Sequence, residues 1–280
     1  MLLRVLRAIF APKTPAAMPG DEAGFERLMH SLVEQGKDAQ ALAVYDAAIA
    51  AGIRPCERDF DRAYRRALEA TGTPPYPLRR RSRFQELGRL LGDVLALEGD
   101  IAECGCFRGL SSHLLLSRLK HADPGFTGRG YHIIDSFEGL SEPTAADLVT
   151  GDGAAAERVR RMCRRGWFAA PLEVVRAGLA EFPEVSYHPG WIPASFEGLP
   201  QRRYRFVHLD LDLHDPTLSA LEYFFPRLAA GAIVVCDDYA WPGERKAVED
   251  FCARQGLAFT TTPFGQAVLR PVGTGKHLLR

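Results

Sequence analysis

The sequence has no excess of either charge. Its 35 lysines and arginines balance 35 aspartates and glutamates over 280 residues. Nothing in that balance marks a phosphate-binding surface, so no nucleic-acid partner is expected. No apolar run is long enough to span a bilayer. Cysteine is scarce and irregularly spaced, six residues in all, which suits a reducing compartment and makes the cytoplasm the expected location. The pair Cys104 and Cys106 flanks Gly105 and reads as small packing residues in a turn, not as a metal or redox pair. The spacing G-x-G-x-x-G is missing too, which disfavours a nicotinamide oxidoreductase. Arg4 and Arg7 interrupt the apolar part of the first twelve residues, and no cleavage site follows. That segment is expected to form a short amphipathic helix, packed on the protein or touching a membrane surface.

What is present divides into two parts. Residues 21–72 carry helical periodicity and no strand pattern. Phe25, Leu28, Leu32 and Val33 form one apolar stripe, and Ala41, Leu42, Tyr45, Ala48 and Ile49 form another. Their spacing is similar to a single tetratricopeptide unit, but one unit cannot build an array. An ordinary helical hairpin is the expectation, with a further helix over 58–70. The prolines at 74, 75 and 77 then break the chain. The basic stretch Arg79 to Arg83 reads as the solvated start of a helix running through Phe84, Leu87, Leu90, Leu91 and Val94. The domains are therefore drawn at 1–77, a helical extension, and 78–280.

From Leu97 onward strands alternate with helices. Strands are expected near 101–106, 130–136, 185–190, 204–213, 231–239, 257–263 and 266–270. Helices fall near 110–121, 153–165, 172–182, 217–229 and 244–255. This alternation implies a mostly parallel, right-handed α/β sheet covered on both faces. Only Pro263, Phe264 and Gly265 join the last two strands, so they form an antiparallel hairpin. A seven-stranded, Rossmann-like sheet ending in a hairpin is the outline of a class I methyltransferase.

Two apolar strands end in acid. One carries Asp210, Asp212 and Asp215, the other Asp237 and Asp238. Carboxylates at the ends of buried strands need a partner or a cation. Placed side by side at the carboxyl edge of the sheet, they outline a site for a hard metal ion. Asp215 precedes Pro216 and is expected to cap a helix. On a regular strand Asp210, Asp212 and His214 would share one side, which makes Asp212 and His214 rival bases. His208 shares that side but lies deeper, as a satisfied core histidine. The first strand ends in Glu103 and Gly105, and Gly109 with Leu110, Ser111 and Ser112 opens a helix. That turn suits a ligand with an amino-acid moiety: Glu103 could accept from an ammonium group, and the helix start could meet a carboxylate. Asp135, ending the second strand, is placed for ribose hydroxyls. Trp191, after the third strand, faces adenine or simply packs.

The segments Glu103–Ser111, Asp135–Leu140, Phe206–Thr217 and Cys236–Tyr239, in this order, resemble the TylF (macrocin O-methyltransferase) family over roughly residues 80–272. The resemblance implies an S-adenosylmethionine-dependent enzyme that methylates sugar hydroxyls of natural products with Mg2+. It implies Asp210, Asp237 and Asp238 as metal ligands and Asp212 as general base, with His214 the alternative. It also implies cofactor contacts at Glu103, Gly105, Gly109, Ser111, Asp135 and Ser136, with Trp191 beside them. His214 stands where the family often has Tyr, which bears on the acceptor. Two rival readings are a catechol-like aromatic acceptor and a non-catalytic binding protein acting through the N-terminal helices. The helical hairpin offers a surface for a homodimer. The loop from Gly139 to Gly153 is long and polar enough for a mobile lid, or is an ordered crossover.

Overall fold

The computed structural model describes residues 55–271, apart from 77 and 149–152, and isolated positions between 28 and 44. The expected helix over 1–12, most of the hairpin and the last part of the loop at 139–153 lie outside the described residues. Of the hairpin, Leu28, Leu32 and Val44 are helical, and Val44 is buried. Two compact units divide the chain, one from residues up to Arg65 with Pro75–Ser82, the other from Arg66–Pro74 and Arg83 onward.

Helix α1 spans Pro55–Thr71 and α2 spans Leu78–Gly92, with the proline-rich joint between them. Within the first unit Arg81 pairs with Asp61 and lies over the Tyr64 ring, 5.3 Å from its centroid. The Tyr64 hydroxyl accepts from the Tyr76 amide at 3.1 Å. The arginine run is therefore not uniformly solvated: Arg81 is engaged here, and Arg83 is buried in the second unit.

The second unit holds the sheet. The elements run β1 (Asp100–Cys104), α3 (Leu110–Ala122), β2 (Tyr131–Asp135), α4 (Gly153–Met162), α5 (Leu172–Gly178) and β3 (Ser186–Pro189). There follow β4 (Tyr204–Leu209), α6 (His214–Phe224), β5 (Leu228–Cys236), α7 (Pro242–Gln255), β6 (Phe259–Thr261) and β7 (Ala267–Leu269). The strand order is β3-β2-β1-β4-β5-β7-β6. The first five strands are parallel, and β7 is antiparallel to both β5 and β6. This is the expected class I methyltransferase sheet.

Alternating residues feed two apolar layers. Ile101, Ile133, Phe206, Ile233 and Val235 pack with Leu115 and Leu119 of α3 and Leu87 and Leu91 of α2. Ala102, Ile134, Val207, Leu209, Val234 and Cys236 pack with Leu221 and Phe224 of α6 and Phe251 of α7. Each buried Leu, Ile or Phe contributes about 1.5–3 kcal/mol by leaving water. Covered on both faces, these strands have no polar alternation to read. Crossovers leave β1 in opposite directions, so the sheet order reverses between β1 and β4, where open α/β folds bind ligands.

Strand β4 stops at Leu209, not at residue 213. Its pairing with β1 and β5 ends there, at Cys104 and Cys236. Asp212 has φ 58, a left-handed turn residue, and His214 already opens α6. The shared strand side expected for Asp210, Asp212 and His214 therefore does not exist. Asp215 does not cap α6, because that helix starts one residue before it, with no side-chain cap from its own N-terminus. Asp147 does the work from a distance, accepting the His214 amide at 2.7 Å.

Candidate active site

The carboxyl edge at β1 and β4 is a seam made by one glycine. Gly105 has φ 81, and a Cβ there would lie 2.0 Å from the Asp210 carbonyl oxygen. Only glycine lets the β1 turn approach β4 this closely. On the β2 side, Asp135 accepts the Cys106 amide and the Phe137 amide, both at 2.7 Å. This carboxylate ties the two turns together while its remaining lone pairs stay at the edge. Gly109 is the left-handed N-cap of α3. Ser136 shapes its own turn, donating to the Gly139 carbonyl and accepting from the Glu138 amide. Ser111 is buried, and Trp191 is half-buried, its carbonyl accepting from the Ser195 amide.

Glu103 corrects the expectation of a direct ammonium contact. It is 0% exposed. One oxygen accepts from Ser112 Oγ at 2.5 Å and Tyr131 Oη at 2.7 Å, and the other faces His208 Nδ1 at 3.0 Å. Glu103 is the floor under the turn, not its lining. Burial alone would raise its pKa, but the bond and charge of His208 bring it below the ordinary range. His208 answers in kind: against burial, Asp237 and Glu103 raise its pKa to about 10. Strand register explains the meeting, because Glu103 and His208 are direct neighbours on β1 and β4.

Beyond β5 the two aspartates part. Consecutive residues leaving a strand point to opposite sides. Asp237 follows Val235 to the His208 side, with Oδ1 3.6 Å from His208 Nε2 and accepting from Gln266 Nε2 at 2.7 Å. Asp238 joins Asp210 and Asp212, and one carboxylate oxygen from each lies within 4.8 Å of the others. Asp210 also groups with His208 and Asp237 on the same criterion. Arg83 stands behind, 2.6 Å from Asp237 Oδ2 and 2.7 Å from Asp238 Oδ1. Glu244, at the start of α7, accepts the Asp238 amide at 2.6 Å. Burial and the charges of Asp238 and Asp210 push its pKa well above the carboxylate range.

His214 is turned elsewhere. Its Nδ1 meets Asp215 at 2.7 Å and its Nε2 faces Asp250 at 3.3 Å, so both ring nitrogens are held by carboxylates outside the acidic group. Asp147 anchors the described part of the 139–153 loop. It accepts from the Thr144 and His214 amides, and a Cβ on Gly243 would lie 2.1 Å from it. Cys104 and Cys106 are free and buried, with pKa values driven well up by burial and then by the nearby carboxylates.

Sequence reading missed Arg83, Gln266, Asp147, Tyr131 and Glu244. Arg83 was visible only as part of a basic run, and the others sit in segments with no motif. Their roles come from chain crossings that spacing does not encode.

A seven-stranded sheet of this order, with a glycine turn at its reversal point, defines a class I methyltransferase. The chain belongs to the macrocin-O-methyltransferase (TylF) family, whose profile matches residues 30–264, and it is an S-adenosylmethionine-dependent O-methyltransferase. It is 36% identical over 184 residues to 8-demethyl-8-(2,3-dimethoxy-alpha-L-rhamnosyl)-tetracenomycin-C 4'-O-methyltransferase of Streptomyces olivaceus, covering 63% of this chain and 67% of that protein. It is 27% identical to demethyldecarbamoylnovobiocin O-methyltransferase of Streptomyces niveus, with the same coverage. Among solved structures, the O-methyltransferase NovP superposes with a TM-score of 0.55 at 22% identity, over 67% of this chain and 78% of that one. Calicheamicin methyltransferase CalS11 gives 0.55 at 21%, over 77% and 93%. These two likenesses establish the fold. Among the described residues, no helix is long and apolar enough to cross a membrane.

Proposed function

We propose that this enzyme methylates a sugar hydroxyl of a natural product or glycoconjugate, with Mg2+ held at the acidic edge. The observation that carries the reading is the grouping of Asp210, Asp212 and Asp238 beyond the ends of β4 and β5, with the Asp210 backbone packed against the turn at Gly105. The donor set fits the ion: all three are carboxylates, hard oxygen ligands of the kind Mg2+ takes. The tetracenomycin relative is named for a rhamnosyl-bearing substrate and a 4'-oxygen, which supports a sugar acceptor.

Asp210 and Asp238 are assigned to the ion and Asp212 to the proton. Bound there, Mg2+ would lower the pKa of an acceptor hydroxyl and fix its orientation. Asp212 takes the hydroxyl proton as the oxygen attacks the methyl carbon. The new O–CH3 bond forms as the S–CH3 bond breaks, and S-adenosylhomocysteine leaves. The Gly105 turn, Asp135 and Trp191 would hold the cofactor, and positioning its methyl group against the acceptor hydroxyl would supply much of the acceleration. Asp237, drawn to Arg83, Gln266 and His208, braces the site from behind instead of binding the ion. His214 is set aside as base because both its ring nitrogens face other carboxylates.

The helical extension, residues 1–77, is assigned to the acceptor side or to a homodimer contact. The free buried cysteines support a reducing cytoplasm. The test is methyl transfer from labelled S-adenosylmethionine to a panel of glycosides and catechols, with and without chelator. Transfer to glycosides that stops on chelation and returns with Mg2+ is expected. Full activity in chelator sinks the metal role, and transfer to catechols alone sinks the sugar.

A further inference from the structure

Arg83, from the basic run, enters the sheet edge. It sits in α2 and is 8% exposed, while Asp237 and Asp238 are 2% and 1% exposed. Its guanidinium bridges one oxygen of each aspartate, at 2.6 and 2.7 Å, and donates to the Asp237 carbonyl as well. Its own carbonyl accepts from Gln266 Nε2, which also donates to Asp237. Four carboxylates crowd this edge: Asp210, Asp212, Asp237 and Asp238. Like charges packed this closely, with Asp237 and Asp238 buried and Asp210 and Asp212 half-buried, repel one another. A guanidinium does not lose its proton at any working pH, so its charge is permanent.

We propose that Arg83 is a built-in countercation: it stands in for a metal ion when the acidic edge is metal-free and lowers the affinity of that edge for the ion. This rests on the reading that the edge holds a divalent cation. Arg83 is a positioning residue, because it acts through Asp237 and Asp238. Two consequences follow with opposite signs. Without metal, the guanidinium stabilises the carboxylates it bridges. With metal, it is a like charge beside the ion and weakens its binding. A residue that only supported the local structure would weaken metal binding when removed, not strengthen it.

The experiment is Mn2+ titration by calorimetry and thermal unfolding, with and without Mn2+, on the full-length wild type, Arg83→Gln and Arg83→Lys. Arg83→Gln should bind Mn2+ about tenfold or more tightly than wild type. It should melt lower than wild type without metal and gain more from Mn2+. Arg83→Lys keeps the positive charge, the feature the proposal rests on, and should stay within about threefold of wild-type affinity. Equal or weaker Mn2+ binding by Arg83→Gln overturns the proposal. So does an Arg83→Gln protein that folds neither with nor without Mn2+, because the ion should replace the missing charge. Wild type that binds no Mn2+ sinks the metal reading itself, a result distinct from wild-type binding that Arg83→Gln leaves unchanged.

Discussion

The two ends of the catalytic edge are built from different materials. The proposed cofactor end, at β1 and β2, is made of backbone: Gly105 and Gly109 in left-handed conformations, and amides from Cys106 and Phe137 gathered by Asp135. The proposed acceptor end, at β4 and β5, is made of charge: three grouped aspartates, with Arg83 behind them. Under both runs a buried line of alternating charge, Glu103, His208, Asp237, Arg83 and Asp238. The first end is held by close backbone packing at Gly105 together with the Asp135 carboxylate, so changes of shape there are costly. The acceptor end is fixed by electrostatics, so it tolerates small changes of shape but not of charge.

That contrast can be broken at graded positions. The largest expected effect is at Asp212. Asp212→Asn removes the proposed proton acceptor and should lower kcat by about 10²–10⁴, with S-adenosylhomocysteine affinity unchanged by calorimetry. Cofactor affinity lost in step with kcat would place Asp212 at the cofactor end instead. Next comes the seam. Gly105→Ala forces a Cβ against the Asp210 carbonyl at 2.0 Å and should destabilise by about 3 kcal/mol or more. Urea unfolding measures this, and a loss under 1 kcal/mol, roughly a methyl's worth of slack, would mean the strands are free to part.

A finer comparison separates the two neighbouring aspartates. Asp238→Asn should abolish cation-dependent turnover. Asp237→Asn should mainly lower stability, by about 3–5 kcal/mol, because it strips a carboxylate from a buried ion pair. Equal loss of Mn2+ affinity in both variants would return Asp237 to the ligand set. The smallest effect concerns pH. His208 has a folded pKa of about 10 against an ordinary 6.5. Its contribution to stability is complete below 6.5 and is lost as pH rises through 10. Wild type should therefore melt higher than His208→Gln at pH 7, with the gap narrowing by pH 10. A gap that widened would mean that the ring is neutral in the folded protein.

Parity explains where sequence reading succeeded and where it failed. Glu103, Gly105 and Asp135 stand at strand ends that apolar runs and glycines announce. The same reading carried β4 too far, to residue 213, because Leu211 and Leu213 continue its alternation. Pairing ends at Leu209, and Asp212 turns left-handed. Asp237 and Asp238, alike in the sequence, fall into two different groups, Asp237 with His208 and Asp210, Asp238 with Asp210 and Asp212, because adjacent strand residues face apart. Glu103 was legible as an acid at a strand end, read as an acceptor for an ammonium group, but its occupation by Ser112, Tyr131 and His208 was not.

By itself the sequence determined the sheet, its closing hairpin, the family and the set of acidic residues, because these follow from local periodicity, turn chemistry and motif order. Tertiary structure alone decided which carboxylates meet, which are neutralised by Arg83 and His208, and which, like Asp147, serve as caps for distant helices. Those outcomes depend on strand register and on groups brought together across up to 183 positions of the chain, and no local pattern records such distances.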